Sequence, residues 1–330
     1  MRETTRLKTL IGAAMTAAAL VASPVVATAA EKFPSKEVKL LVNYGAGGAV
    51  DRTARSMQRF LPDVLGAQVI VENHGGAGGK IGLKKFLGEP RDGYTVLTAF
   101  APAVTSVRVK DPGLFKIEDL IIINVQWVDP AILYVHKDTG WKTLDDMIKA
   151  VKAAPDKYAM AVPGRGSIGE VLTVELFKAL GLKVKMVPYK SGGAARAALL
   201  GGHAQILASG AEGAVAARDK VNVLGAFWKD GKIAGWPELP TINAQLKKYG
   251  VTAPEGGAYR FHAVHREVKE KYPERFAKLV EAFKKATEGK PFREFAAKTK
   301  VGDDWLGPEK STALIREVDA RFAKILSKSK

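Results

Sequence analysis

The sequence predicts an α/β protein of two lobes joined by two chain crossings, and three observations carry that prediction. Short apolar runs alternate with amphipathic stretches along most of the chain, the pattern of parallel strands connected by helices. The alternation breaks at Asp129-Pro130, where two apolar, β-branched runs follow each other with no helix between them. After a second alternating set, one more strand and several helices close the chain. This organisation assigns residues 31–129 and 255–330 to one lobe and residues 130–254 to the other. Clefts between such lobes are common ligand sites and close by hinge motion.

The first lobe begins with strands at 38–43, 69–72 and 94–99, separated by helices at 52–65 and 80–87. Asp92-Gly93 marks the turn before the third strand. Apolar runs at 120–128 and 131–136 read as two strands flanking Asp129-Pro130. In the second set, Thr143 caps a helix over 144–154 that Pro155-Asp156 ends. A strand at 158–162, a helix at 167–180, a strand at 184–187, a helix at 194–200 and strands at 204–207 and 221–226 follow. Thr241 caps a short helix that stops at Gly250. The strand at 259–264 returns to the first lobe, and helices over 268–288, 291–298 and 308–327 complete it.

The N-terminus places the protein outside the cytoplasm. Arg2, Arg6 and Lys8 precede a mostly apolar stretch from Leu10 to Val26, and Ala27-Thr28-Ala29-Ala30 supplies small-residue cleavage positions after Ala29 or Ala30. This is the pattern of a secretory signal peptide over residues 1–30. The stretch is too short and too polar, with Thr16, Ser23 and Pro24, to read as a membrane span. There is no cysteine, which excludes thiol nucleophiles, cysteine zinc sites and iron–sulfur clusters. A chain of this size forms its core without disulfides.

The net charge is +17, and residues 1–30, with three basic residues and one acidic, leave +15 on the mature chain. A basic surface attracts anions. Nucleic acid is not the expected partner, because the lysines are interleaved with acids along helices and no aromatic–basic stacking pattern occurs.

Two glycine-rich loops stand out, each between a strand and a helix. They are Tyr44-Gly45-Ala46-Gly47-Gly48-Ala49-Val50-Asp51 and His74-Gly75-Gly76-Ala77-Gly78-Gly79. Glycine allows close backbone approach, and the free N–H groups of a helix start attract anions. A third loop, Ser191-Gly192-Gly193, has the same setting and is a further candidate for the cleft. Asp51 admits two roles: it satisfies N–H groups at its helix start, or it meets a ligand directly or through water. Arg165 and Arg260 fall in expected cleft-facing loops or strand ends, where a guanidinium suits a carboxylate.

Other chemistries fail on their own requirements. Gly164-x-Gly166-x-x-Gly169 matches a dinucleotide fingerprint, but the next strand ends Pro188-Tyr189-Lys190 and lacks the ribose-binding acid. Gly75 to Lys80 resembles a phosphate loop, but His74 stands where its first glycine belongs and Ile81 replaces the magnesium-binding hydroxyl. The five histidines form no metal motif, and Ser167 lacks a nucleophile-elbow context. No catalytic set, metal or cofactor is expected.

Taken in order, several segments resemble the periplasmic substrate-binding proteins of tripartite tricarboxylate transporters, the TctC or Bug family. They are Leu41–Gly48 with Asp51 and Arg55, Val71-Glu72-Asn73 through Gly79 and Gly82, Arg91-Asp92-Gly93-Tyr94-Thr95, Pro188–Gly193 with Ala197–Gly202, and Leu239-Pro240-Thr241. The resemblance implies a type II periplasmic-binding-protein fold, two α/β lobes with an interlobe cleft and two chain crossovers. It implies a small organic carboxylate as ligand, held by backbone amides, small polar side chains and waters. Carried over, the family's ligand contacts fall on Tyr44, Ala46, Gly47, Gly48, Ala49 and Asp51, on Ala77 and Gly78, on Gly164, Arg165, Gly166, Ser167 and Ile168, and on Ser209. Tyr44, Ile168 and Phe100 would supply apolar contacts. The partners implied are one large and one small membrane subunit of an ion-gradient-driven carrier, with the receptor itself a monomer. Val50, His74-Gly75, Glu170 and Gln205 depart from the family pattern and bear on which acid is bound. The rival functions are a sensor feeding a membrane signalling protein and a secreted hydrolase acting through Ser167.

Overall fold

The computed structural model describes residues 32–328; the signal-peptide reading at residues 1–30 lies outside them. The first strands are β1 (Val38–Val42), β2 (Val69–Asn73) and β3 (Thr95–Ala101), with helices α1 (Ala49–Leu65), α2 (Lys80–Leu87) and α3 (Ala103–Lys110). The long strand β4 (Leu120–His136) leads into α4 (Leu144–Ala153), β5 (Ala159–Val162), α5 (Ile168–Leu180), β6 (Lys185–Pro188) and α6 (Gly192–Leu200). β7 (Ile206–Gly210), α7 (Ala211–Val215), β8 (Val221–Ala226), α8 (Ile242–Leu246) and β9 (Gly257–His265) follow. Helices α9 (Arg266–Lys271), α10 (Pro273–Glu288), α11 (Lys290–Thr299) and α12 (Gly307–Lys328) end the chain.

The strands run in the order β2-β1-β3-β9-β4-β7-β5-β6, with β8 also on β4. β1 is parallel to β2 and β3, and β5 is parallel to β6 and β7, as strand–helix–strand connections require. β9 is antiparallel to both β3 and β4 and closes the first half of the sheet. Every residue of β3 and β9 is buried, so these strands are covered on both faces.

The break at Asp129-Pro130 is not a gap between two strands. β4 runs through it unbroken for 17 residues. Up to Pro130 it pairs with β9, and from Ala131 it pairs with β7 and β8. Gly257 sits opposite Pro130, and a Cβ there would lie 2.6 Å from the Asp129 carbonyl oxygen. The absent side chain lets β9 approach closely enough to pair through the proline, which has no N–H of its own to offer. One strand therefore belongs to both halves.

Helix caps follow the sequence closely. Thr143 accepts from the Asp146 N–H while the Asp146 carboxylate accepts from the Thr143 N–H, a reciprocal capping box. Ser167, Ser191 and Thr241 each accept from the N–H three residues on. Two differences are instructive. The helix expected over 268–288 breaks at Tyr272, because Pro273 disfavours helical geometry in the residue before it. Helix α3 (Ala-Val-Thr-Ser-Val-Arg-Val-Lys) carries little helical propensity and forms through burial, packed on β3 and α12. Among the described residues no helix is long and apolar enough to cross a membrane.

Candidate functional site

A cavity enclosing about 600 Å³ of atom-free space, its mouth included, lies between the two halves of the sheet. The first half contributes Tyr44, Gly48, Ala49, Val50, Phe100, Asp129, Ala258 and Arg260. The second contributes Pro163, Ser167, Ile168, Ser191, Gly192, Arg196 and Ser209, with Gly210 and Gly213 beside them.

Strand register builds the charged part. Arg260 on β9 pairs with Phe100 on β3 and Trp127 on β4, and Ala258, two residues earlier on the same face, pairs with Asp129. The guanidinium is 5% exposed and lies 4.1 Å over the Trp127 ring. Its Nη2 donates to Asp129 Oδ2 at 2.9 Å, and Asp129 Oδ1 accepts from the Glu212 N–H at 3.1 Å. Burial pushes Asp129 up and Arg260 down, and the contact between them opposes both shifts. Arginine's intrinsic basicity keeps the pair ionised. Arg260 Nε and Nη1 are buried without a hydrogen-bond partner. Such orphaned cationic donors are costly unless an acceptor reaches them.

Gly210 makes the pair possible: a Cβ there would lie 1.8 Å from Asp129 Oδ2 and 3.1 Å from Arg260 Nη2. Arg196 comes from the second turn of α6, and Gly213 leaves room for its Nη1, 2.7 Å from where a Cβ would stand. Tyr134, whose hydroxyl lies 3.0 Å from Ser209 Oγ, also interacts with Arg196; burial pushes its pKa up to about 12.

Helix N-termini supply the neutral donors. Gly48 caps α1, Ser167 caps α5 and Ser191 caps α6, and all three line the cavity. Each serine oxygen accepts a helix N–H, at 3.4 Å for Ser167 and 3.2 Å for Ser191. Its own O–H is then free to donate. The apolar surface comes from Tyr44, Val50, Phe100, Pro163, Ile168 and Ala258. The Tyr44 and Phe100 rings lie 5.1 Å apart and tilted.

Of the candidates read from the sequence, the structure brings Tyr44, Gly48, Ala49, Ser167, Ile168, Ser209 and Arg260 to this cavity. The others lie elsewhere, for identifiable reasons. Ala46, Gly47 and Ala77 are exposed at loop tips. Asp51 holds its loop: Oδ2 accepts from the Gly47 N–H at 2.9 Å, and both oxygens accept from Arg55 Nε at 3.0 Å. Arg165 is half exposed and pairs with Glu170 at 2.6 Å, beside a different depression lined by Ser106, Lys110 and Leu326.

Gly78, Gly164 and Gly166 instead form a seam where backbone meets backbone or side chain. A Cβ on Gly78 would lie 2.2 Å from the Arg165 carbonyl oxygen, and one on Gly166 would lie 2.2 Å from Ser106 Oγ. A Cβ on Gly45 would meet the Lys190 carbonyl at 3.2 Å, and one on Gly193 would meet the Gly47 carbonyl at 3.0 Å. Tyr44 joins seam to cavity: its hydroxyl donates to the Gly78 carbonyl at 3.1 Å while its ring lines the cavity. Gly169, third of the dinucleotide-like glycines, packs α5 against β7, where a Cβ would lie 1.9 Å from the Ala208 carbonyl.

Asp129, Arg196, Gly210 and Gly213 were not singled out from the sequence. Asp129 sat inside the expected crossover, and Arg196 is one basic residue among many on helices. Only strand pairing and the course of α6 turn them inward. Three of the histidines are held by neighbouring groups. His262 is buried between Thr98 Oγ1 at 3.0 Å and Gln126 Oε1 at 2.8 Å, and burial pushes its pKa down to about 3. His265 stacks on Phe86, and His74 pairs with Glu72. Gln205 is tied to the Ala159 N–H and the Gly202 carbonyl, away from the cavity. Among the described residues no cluster of three or more acidic or histidine side chains is placed to hold a metal.

A sheet in two halves sharing one strand, with a cavity between them, is the two-lobed architecture of the periplasmic-binding-protein fold. Residues 53–330 match the model of the tripartite tricarboxylate transporter family receptor, and the chain belongs to that family. A Cupriavidus necator protein, the UPF0065 protein in the gbd 5′ region, is 28% identical over 326 residues, covering 96% of this chain and 94% of its own. Two solved structures from Rhodopseudomonas palustris share the fold. MatC with bound malate has a TM-score of 0.79 at 22% identity, covering 89% of this chain and 100% of that one. Rpa4515 with adipate has a TM-score of 0.76 at 21% identity, covering 90% and 98%.

Proposed function

We propose that this receptor captures a small organic carboxylate between its lobes in the periplasm and delivers it to a tripartite membrane carrier of one large and one small subunit. The observation that carries this reading is the buried Arg260, with Nε and Nη1 unpartnered, in a cavity ringed by three helix N-termini. A carboxylate accepts from such donors through charge-assisted hydrogen bonds. Malate and adipate in the two structural neighbours are compatible with a carboxylate ligand. The switch of β4 partners after Pro130 supports lobes at 31–129 with 255–330, and at 130–254.

The glycine seam supports closure as the capture step, since its contacts form only when the two halves meet. No bond is made or broken. Ser167 serves as the cap of α5, its oxygen accepting from the Glu170 N–H, and it has no histidine partner among the described residues, which favours a binder over a hydrolase. The receptor acts as a monomer, exported by the signal peptide at residues 1–30.

Thermal unfolding of the mature chain against a broad panel of mono-, di- and tricarboxylates tests the reading. At least one acid should raise Tm in proportion to the logarithm of its concentration above Kd. A panel with no shift and no calorimetric heat would remove carboxylate capture as the function.

A further inference from the structure

We infer that the ligand is a monocarboxylate with an apolar body, its one carboxylate held by Arg196, Arg260 and the N-terminus of α6. This rests on the carboxylate reading above and narrows it. The charged side chains lining the cavity are Asp129, Arg196 and Arg260. Asp129 and Arg260 neutralise each other at 2.9 Å. Arg196 forms no ion pair among the described residues, so the lining carries a single uncompensated positive charge. One carboxylate balances it; a second leaves a net negative charge in a desolvated site, which is strongly unfavourable.

Helix N-termini do not restore room for a second carboxylate, because two of the three already carry an acidic side chain in their first turn, which offsets the helix dipole. At α1 the Asp51 carboxylate takes the Gly47 N–H. At α5 the Glu170 carboxylate takes the Gly166 N–H. Only α6 has no acidic residue in its first turn. The same helix carries Arg196 and begins with Ser191 and Gly192 at the cavity wall. The open donors of α6, the guanidinium of Arg196 and the orphaned Nε and Nη1 of Arg260 are thus the positive groups left for a ligand. The rest of the lining is carbon: the rings of Tyr44 and Phe100, with Val50, Pro163, Ile168 and Ala258. Hydrocarbon gains from burial there, whereas a second ionised group would lose its water without gaining a partner.

Calorimetry with two length-matched pairs tests this: hexanoate against adipate, and 3-phenylpropionate against 3-(4-carboxyphenyl)propionate, with hexanamide as the uncharged control. At least one monocarboxylate should bind ten-fold or more tighter than its dicarboxylate partner, and hexanamide should not bind. In the Arg196→Gln variant that monocarboxylate should bind at least ten-fold more weakly, while the Tm of the ligand-free protein stays within about 2 °C of wild type. Dicarboxylates binding as tightly as their partners, or tighter, would overturn the inference and leave carboxylate capture standing. Unchanged affinity in Arg196→Gln would overturn the placement of the carboxylate. Silence of all four acids would count against both this inference and, with the broad panel, the carboxylate reading itself.

Discussion

The glycine seam and the arginine–serine wall lie side by side between the same two halves, yet they are built on opposite principles. The seam removes side chains so that main chains can touch: Gly78 against Arg165, Gly45 against Lys190, Gly193 against Gly47. The wall supplies polar side chains, Arg260, Arg196, Ser167 and Ser191, that line the cavity. The difference separates two tasks that a glycine-rich sequence runs together. Glycine here sets how closely the halves meet, and the charged and hydroxyl side chains of the cavity lie largely outside the glycine runs.

Four measurements break or sharpen this contrast. The largest effect is expected at the wall. Arg260→Gln leaves Asp129 buried without its cation, which costs about 3–5 kcal/mol of stability, and it should weaken carboxylate binding by about a hundred-fold or more. Urea unfolding and calorimetry read the two effects; unchanged affinity would move the anion site away from Arg260.

A pH series comes next, because His262 lies on the same strand as Arg260. Its pKa is held down to about 3 by burial, below the unfolded value near 6.5. The unfolded chain therefore binds the extra proton first. The contribution of this group to stability is complete above about pH 6.5 and is lost progressively as pH falls toward 3. Urea unfolding at pH 7.5 and pH 4.5 should show a fall of a few kcal/mol, and His262→Gln should flatten it. An equal slope in the variant would assign the acid sensitivity to other groups.

The seam is tested by Gly78→Ala, where positive φ and a 2.2 Å approach to a carbonyl coincide. Affinity should fall about ten-fold, or roughly 1.4 kcal/mol, on top of a ligand-free stability loss like that of any alanine at positive φ. Gly66→Ala separates the two causes. Gly66 has a similar positive φ of +71° but nothing within 4 Å of its missing Cβ, so it should cost stability alone. If both variants bind ligand like wild type, the seam plays no part in capture. The smallest effect is expected far from both regions: Thr143→Ala removes one member of a capping box and should cost about 1 kcal/mol in unfolding with no change in affinity.

Much of the fold was legible because its signals are local. Hydrophobic runs, capping residues and helix-stopping glycines placed β1, β2, α2, α4, α5 and β8 within a residue or two of their observed bounds. Misreadings occurred where tertiary contact overrode local preference. Pro130 should end a strand, yet β4 continues because Gly257 opposite it has no side chain. Helix α3, a β-branched segment to which the sequence reading assigned no element, is made helical by burial. The site was legible in the same proportion. Tyr44, Gly48, Ala49, Ser167 and Ile168 flank helix starts that can be read from sequence, and each reaches the cavity. Asp51 and Arg165 looked equally suitable but are taken by Arg55 and Glu170, four and five positions further along the chain.

By itself the sequence determined the α/β class, the loops that begin helices and the family to which the chain belongs, because each is encoded in short spans of periodicity, caps and glycines. Tertiary structure alone decided which glycines form the seam, that Asp129 and Arg260 meet across two strands, and that Arg196 has no counter-ion among the described residues. The Asp129–Arg260 pair joins residues 131 positions apart, and no local pattern in a chain records whether two such residues come within 3 Å.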